Sequence, residues 1–236
     1  LDYFIEHYAT RLHALGIDAM DCTFGSMLPA KSREPEISSG EIIGGGFYVP
    51  NLVALPYIKR MREGLQARGI DMPLMGSCNI NTPEQMRTMI DKGAADFFAS
   101  CRQSLDDPDF PRKIAEGRED EIRKSTRTGA SLMTGNIFAK GVAGSAQNAA
   151  FSRDREYRIV PTLRPKKVMV VGGGSGGMEY ALTAKEVGHD VTLYEKSDVL
   201  GGVMNWAGGY KTLPNMEQIA YQPQYHRLMI EKLGVH

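Results

Sequence analysis

The sequence predicts an α/β protein in which parallel strands alternate with helices. Two observations support this fold class. Helical patterns alternate with short apolar runs over the first hundred residues, and residues 167–202 read as a strand, a glycine-rich turn, a helix and a second strand. Strands that follow one another through helices run parallel, so we expect the apolar runs to be buried strands of parallel sheets.

The first half contains three strands and three helices in alternation. Thr82 is a good N-cap and Pro83 suits a first helical turn, so a helix should begin there and end at Gly93. Gly16 should likewise end the first helix. In chain order, the predicted elements are a helix at 2–15, a strand at 17–24, a loop at 25–46, a helix at 50–64, a strand at 72–75, a helix at 83–92 and a strand at 95–99.

The second half is organised around a glycine motif between two strands. Val168–Val171 is an apolar run, Val191–Tyr194 is another, and glycines 172, 174 and 177 between them satisfy G-x-G-x-x-G. In such a unit the first glycine permits a tight turn, the second allows a pyrophosphate to approach the backbone, and the third allows helix and strand to pack closely. The helix N-terminus then faces the phosphates with its N–H groups.

An acidic residue follows the second strand where a nucleotide site needs one. Glu195 lies 18 residues after Gly177, and a carboxylate there accepts ribose hydroxyls and disfavours a 2′-phosphate. The pattern predicts an adenine dinucleotide site. The tail of the unit, Glu195-Lys196 followed by Leu200-Gly201-Gly202, resembles FAD-binding flavoproteins of the disulfide-reductase type, which implies FAD as the first candidate. The predicted cofactor-binding residues are Gly172, Gly174, Ser175, Gly176, Gly177, Glu195, Lys196 and Gly202.

Composition narrows the function classes. The 236 residues carry 28 basic and 28 acidic side chains, so nothing favours nucleic acid or a membrane surface as a partner. There is no apolar run of about 20 residues and no basic leader, which predicts neither a membrane span nor a secretory signal. Three cysteines, an odd number spread far apart, favour the reducing cytoplasm over a disulfide framework.

A series of landmarks runs through the first half of the chain. The landmarks are Asn79-Ile80-Asn81-Thr82-Pro83-Glu84, Gly93-Ala94-Ala95-Asp96-Phe97, Cys101-Arg102-Gln103-Ser104-Leu105-Asp106-Asp107-Pro108-Asp109-Phe110, Lys113 and Gly117-Arg118. In this order they resemble the last third of the flavin barrel of the Old Yellow Enzyme family. Because a dinucleotide unit follows, the chain is most similar to the multidomain branch with 2,4-dienoyl-CoA reductase, clostridial 2-enoate reductase and trimethylamine dehydrogenase.

This resemblance implies a fold and a division into domains. Residues 1–121 would be the C-terminal part of a (β/α)8 barrel, strands six to eight, that binds FMN. Residues 122–165 would be a linker, and residues 166–236 a partial Rossmann-like domain for FAD or ADP. Five barrel strands are missing from this scheme, and three strands of a closed barrel leave open edges. We therefore expect the chain to be a piece of a larger polypeptide or assembly, or part of a homo-oligomer.

The resemblance also implies site residues in the first half. In barrels of this type the flavin phosphate lies near the loops after strands seven and eight, which matches Cys78, Asn79, Cys101 and Arg102. Arg102 could instead pair with Asp106 or Asp107. Tyr48, in Phe47-Tyr48-Val49-Pro50, could donate a proton to the substrate or simply pack the loop.

Metal sites are not predicted. Three cysteines, Cys22, Cys78 and Cys101, lie at or near the ends of predicted strands and could form a metal or redox site together. Free cysteines more often act as small buried apolar side chains. The five histidines have no metal-ligand spacing, and we expect them to be structural or solvated. The family's linker holds a 4Fe–4S cluster on four cysteines, whereas no Cys occurs here after residue 101. The matching positions are Ser125, Thr128, Ser131 and Ser145.

Three functions remain open from the sequence. The first is a flavin-dependent oxidoreductase that reduces the activated C=C of an enoate or enoyl-CoA, a small-molecule substrate, with electrons from NAD(P)H through FAD and FMN. The second is an amine dehydrogenase with ADP in its second domain. The third is a non-catalytic nucleotide-binding subunit, which the missing strands and cysteines favour.

Overall fold

The structure is a computed structural model that describes residues 1–23, 50–77, 79–127, 145–210 and 215–236. The chain divides into two compact units, Leu1–Cys101 and Arg102–His236. The predicted barrel segment, residues 1–121, thus extends into the second unit, and the predicted linker lies within it. Both units have α/β architecture, as the sequence predicts, with parallel pairing throughout the described strands.

The first unit alternates helices and strands in the predicted order. It begins with α1 (Asp2–Phe4), a π-helical stretch (Ile5–Ala9) and α2 (Thr10–Ala14), which end at Gly16 with φ +94°. The remaining elements are β1 (Met20–Cys22), α3 (Leu55–Gln66), β2 (Leu74–Gly76), α4 (Pro83–Asp91) and β3 (Phe97–Phe98).

The three strands form one sheet in the order β1-β2-β3. Met20 pairs with Leu74 and Cys22 with Gly76, while Gly76 also pairs with Phe98. One core lies against this sheet, and its most buried members are Ile5, Ala9, Ala54, Ile58, Leu65, Met72, Leu74, Ile80, Met89 and Ala94. Because the strands run parallel, the loops that follow β2 and β3 emerge at the same edge of the sheet.

The second unit begins with α5 (Cys101–Asp106, whose first residue belongs to the first unit), α6 (Phe110–Ala115) and a 3₁₀ turn (Glu119–Glu121). Its central motif is β4 (Lys167–Val171), α7 (Ser175–Val187) and β5 (Asp190–Tyr194). The chain continues with α8 (Val203–Ala207), a second 3₁₀ turn (Met216–Ala220) and α9 (Tyr221–Leu233).

Helix α7 covers one face of the β4–β5 sheet. Val170 and Val191 from the strands are buried with Ala181 and Ala184 from the helix. The two strands pair in parallel from Lys167–Asp190 to Val171–Tyr194, so their carboxyl ends meet at one edge. Among the described residues no helix is both long and apolar enough to cross a bilayer.

Candidate functional site

The loop between β4 and α7 has the conformation that the glycine motif predicts. Gly172 has φ +104°, which a residue with a side chain rarely adopts, and its N–H donates to the carbonyl of Tyr194 at 2.7 Å. The chain then turns into α7, where the Met178 N–H donates to the carbonyl of Gly174 at 2.9 Å. The loop therefore lies at the carboxyl ends of β4 and β5, where ligands bind in open α/β sheets.

The glycines of the loop differ in what surrounds them. A Cβ added to Gly177 would lie 1.9 Å from the carbonyl oxygen of Gly172, so only glycine allows the helix to approach the turn this closely. A Cβ added to Gly174 or Gly176 would meet no atom within 4 Å. The middle of the loop is therefore open space beside the N-terminus of a 13-residue helix, which can receive an anionic group.

Glu195 is hydrogen-bonded to the same loop. Its Oε2 accepts the Gly173 N–H at 2.6 Å, and its Oε1 accepts the backbone N–H and the hydroxyl of Ser197, both at 2.9 Å. These bonds, led by that from Gly173, lower the pKa of Glu195 to about 2, so the carboxylate is charged at neutral pH. A carboxylate accepts about four hydrogen bonds, so Glu195 can accept more than the three bonds from Gly173 and Ser197.

Two cavities adjoin the loop. One, of about 400 Å³, is lined by Val171, Gly172, Tyr194, Glu195 and Lys196. The other, of about 280 Å³, lies by the first residue of α7 and is lined by Thr126, Ala146, Gln147, Ser175, Met204, Ile219 and Gln222.

Ser175 and Gly202 complete the surroundings of the loop. The Ser175 hydroxyl donates to Oε1 of Gln222 at 2.9 Å, and a Cβ on Gly202 would lie 3.2 Å from the Cα of Gly174. The structure thus brings together all eight residues that the sequence predicts for the dinucleotide site.

A charged network on the side of α7 was not predicted from the sequence. Arg123 donates two hydrogen bonds to Glu179 at 2.9 and 3.1 Å, and Nε2 of His226 lies 2.6 Å from the same carboxylate. The guanidinium also lies 4.6 Å from the ring centroid of Tyr225. Although burial opposes it, the bonds from His226 and Arg123 lower the pKa of Glu179 to about 2. No sequence pattern signals this network, because its members lie far apart along the chain.

In the first unit, the loops after β2 and β3 lie side by side. The Ser100 hydroxyl donates to the carbonyl of Ile80 at 2.5 Å, and Ser77 donates to the carbonyl of Cys22 at 3.1 Å. Asn79 is buried in a left-handed conformation with φ +55°. Arg102 belongs to the second unit, within α5. Tyr48 and Cys78 lie outside the described residues, so their predicted roles stay predictions.

The described cysteines lie in different environments. Cys22 is half-buried, and this burial raises the pKa of its thiol to about 11, whereas Cys101 is exposed. Within the described part of the chain, no cluster of three or more His, Cys, Asp or Glu side chains could hold a metal ion. A larger cavity of about 460 Å³ with a mostly apolar lining, including Cys22, lies between the N-terminal helix, β1 and α3.

Comparison with known proteins relates the chain to flavoproteins. The family model described as FAD dependent oxidoreductase matches residues 167–231, which include the glycine loop and Glu195. The chain is 35% identical over 133 residues to cinnamate reductase of Clostridium sporogenes, covering 56% of this chain and 20% of that protein. It is 30% identical over 200 residues to dimethylamine dehydrogenase of a Hyphomicrobium species, covering 82% of this chain and 26% of that protein.

A solved structure is similar as well. The structure of 2-naphthoyl-CoA reductase in complex with 2-naphthoyl-CoA has a TM-score of 0.81 and 26% sequence identity, covering 98% of this chain and 33% of that one.

The chain is a relative of flavin-dependent oxidoreductases. These proteins confirm the predicted resemblance to Old Yellow Enzyme-family flavoproteins. The proteins to which the chain is related are enzymes. The matches cover between about a fifth and about a quarter of the length of these two curated relatives, as expected of one piece of such a protein. Both reductases and an amine dehydrogenase occur among them, so kinship alone does not select a substrate.

Proposed function

We propose that residues 166–236 bind an adenine dinucleotide, FAD in the first instance. The observation that carries this proposal is the loop around Gly174, where open space faces the N-terminus of α7 while Gly177 packs against the turn. Gly172, Gly174, Ser175, Gly176, Gly177 and Gly202 would hold the pyrophosphate. Glu195 and Lys196 would hold the adenosine end, with one ribose hydroxyl donating to Oε2 of Glu195. The charged carboxylate would exclude a 2′-phosphate.

We propose for the whole protein the reduction of an activated C=C in an enoate or enoyl-CoA, with electrons from NAD(P)H. Bound flavin supplies the chemistry of hydride transfer. The relation to a cinnamate reductase and a 2-naphthoyl-CoA reductase supports this substrate class. In this scheme residues 1–121 would be barrel strands six to eight, Cys78, Asn79, Cys101 and Arg102 would hold the FMN phosphate, and Tyr48 would act as proton donor. The cysteine count favours the cytoplasm as its location.

A second candidate is an amine dehydrogenase with ADP at the same loop. The match to dimethylamine dehydrogenase supports it, because that match extends over 82% of this chain. A non-catalytic nucleotide-binding subunit remains the third candidate, supported by the absence of cysteine after residue 101.

The test is the intact mass of the purified protein together with the cofactors released on denaturation. FMN and FAD released together from a polypeptide much larger than 26 kDa are expected for the reductase. ADP in place of FAD would support the amine dehydrogenase, and neither flavin would contradict both enzymes. Calorimetric titration of the 236-residue chain with ADP tests the loop itself, and failure to bind would refute the site.

A further inference from the structure

The hydroxyl of Ser145 is fully used by hydrogen bonds within the second unit. It donates to the carboxylate of Asp106 at the end of α5, and it accepts the backbone N–H groups of Gln147 and Asn148, both at 3.0 Å. A serine hydroxyl has one proton and two lone pairs, so all three are engaged. No lone pair of this oxygen remains for a metal ion.

Ser125 is also hydrogen-bonded, through its backbone N–H and through one lone pair of its hydroxyl. Its backbone N–H donates to Oε1 of Gln103 at 2.8 Å, and its hydroxyl accepts the Arg127 N–H at 3.2 Å. Gln103 is completely buried and donates from Nε2 to the carbonyl of Arg123 at 2.9 Å. Both ends of this amide therefore bind residues 123–125.

Two more amide side chains close the network. Gln147 donates from Nε2 to the carbonyl of Lys124 at 2.7 Å, and Asn148 donates from Nδ2 to the carbonyl of Leu105 at 2.9 Å. We name the set formed by Gln103, Asp106, Ser125, Ser145, Gln147 and Asn148 the Ser145 joint. It connects α5 and residues 122–127 to residues 145–150.

We infer that the Ser145 joint is a structural replacement for an iron–sulfur cluster and does not take up iron. Ser125 and Ser145 occupy two of the four positions that the family resemblance matches to cluster cysteines. A protonated hydroxyl is a poor ligand for iron in such a cluster. Here the Ser145 hydroxyl already binds two backbone N–H groups and the buried carboxylate of Asp106, and the Ser125 hydroxyl already accepts a backbone N–H. Thr128 and Ser131, the other two matching positions, lie outside the described residues. The two described positions do not fit the cluster, and hydrogen bonds fix the segments that two of its four thiolates would otherwise hold around a metal.

The first test is anaerobic incubation of the full chain with ferrous iron and sulfide, followed by desalting, iron analysis and visible absorption. The protein is expected to retain no stoichiometric iron and to lack a cluster spectrum. Stoichiometric iron with such a spectrum would overturn the inference. This measurement needs no bound nucleotide, so its outcome is independent of the proposed dinucleotide site.

The second test measures how much the Ser145 joint contributes to thermal stability. Ser145→Ala leaves Asp106 without this donor and two N–H groups without their acceptor, so Tm should fall by about 3–8 °C. Ser145→Cys should also lower Tm and should not gain iron. Ser152→Ala is the matched control, since Ser152 is exposed and lies in the same stretch, and its Tm should stay unchanged. A Ser145→Ala variant as stable as the control would contradict the inference that the Ser145 joint holds these segments together. If that variant does not fold, the iron measurement on the wild-type chain still decides whether a cluster is taken up.

Discussion

Replacing Gly177 by alanine should destabilise the second unit, whereas the same change at Gly176 should not. A Cβ at position 177 would lie 1.9 Å from the carbonyl oxygen of Gly172, and that oxygen belongs to the backbone. Ordinary contact distances require helix and loop to separate by about 1.5 Å. Overpacking against backbone costs about 3 kcal/mol, and the better helix propensity of alanine recovers about 1 kcal/mol. The net loss of about 2 kcal/mol corresponds to a Tm lower by about 4–8 °C.

Gly176 provides a control of the same chemistry one residue away. Its added Cβ meets no atom within 4 Å, so only the gain in helix propensity remains, and Tm should rise by about 1–4 °C. Thermal unfolding followed by circular dichroism gives both shifts, and hydrogen exchange of the α7 amides shows whether the effect at position 177 is local. Equal stability of Gly177→Ala and wild type, or shifts of the same sign in both variants, would refute the reasoning.

Three further changes test the site and its surroundings. Gly174→Ala should leave Tm unchanged but weaken ADP binding by at least about 10-fold in calorimetric titration, because its Cβ would occupy the open space of the loop; unchanged affinity would contradict the site. Glu195→Gln should have a lower free energy of unfolding than wild type at pH 6. In urea unfolding this difference should shrink as the pH falls from about 4.5 to 2, because a carboxylate whose pKa is depressed in the folded state stabilises the fold only above its pKa in the unfolded state. A difference that grows at pH 3 would contradict this prediction. Glu179→Gln should lower the free energy of unfolding by about 2 kcal/mol, because Arg123 loses its ion pair. In a double-mutant cycle with Arg123→Met, the double variant should lose less than the sum of the two single variants. Strictly additive losses would mean that the pair contributes nothing.

Local signals in the sequence predicted some helix ends closely. Thr82 caps α4 by accepting the Gln85 N–H at 3.3 Å, and Gly93 follows the helix with φ +64°. Both signals act within a few residues, so they can be read without knowing the tertiary structure. Strand ends were predicted less well. Among the described residues of the run at 17–24, only Met20–Cys22 lie in the sheet, because pairing with β2, rather than apolar character, determines where a strand begins and ends.

In the candidate site, too, features set by nearby residues were predicted and contacts between distant residues were not. The roles of Gly172 and Gly177 in shaping the turn follow from the motif, because they depend on the backbone of the motif alone. The bond from Gly173 to Glu195 spans 22 residues, and the pairing of Arg123 with Glu179 spans 56, so neither was predicted. His226, expected to be structural or solvated, is completely buried beside Glu179. Long-range polar contacts depend on how helices pack, which a single sequence does not reveal.

The bond between Glu195 and Gly173 has a kinetic consequence. The glycine loop and the carboxylate are already fastened together before any nucleotide arrives, so little conformational entropy remains to be lost on association. Association should then be a single encounter step, without a preceding slow isomerisation of the loop. In stopped-flow mixing with a fluorescent ADP analogue, the observed rate should rise linearly with ligand concentration. A rate that reaches a plateau would mean that the loop opens and closes first.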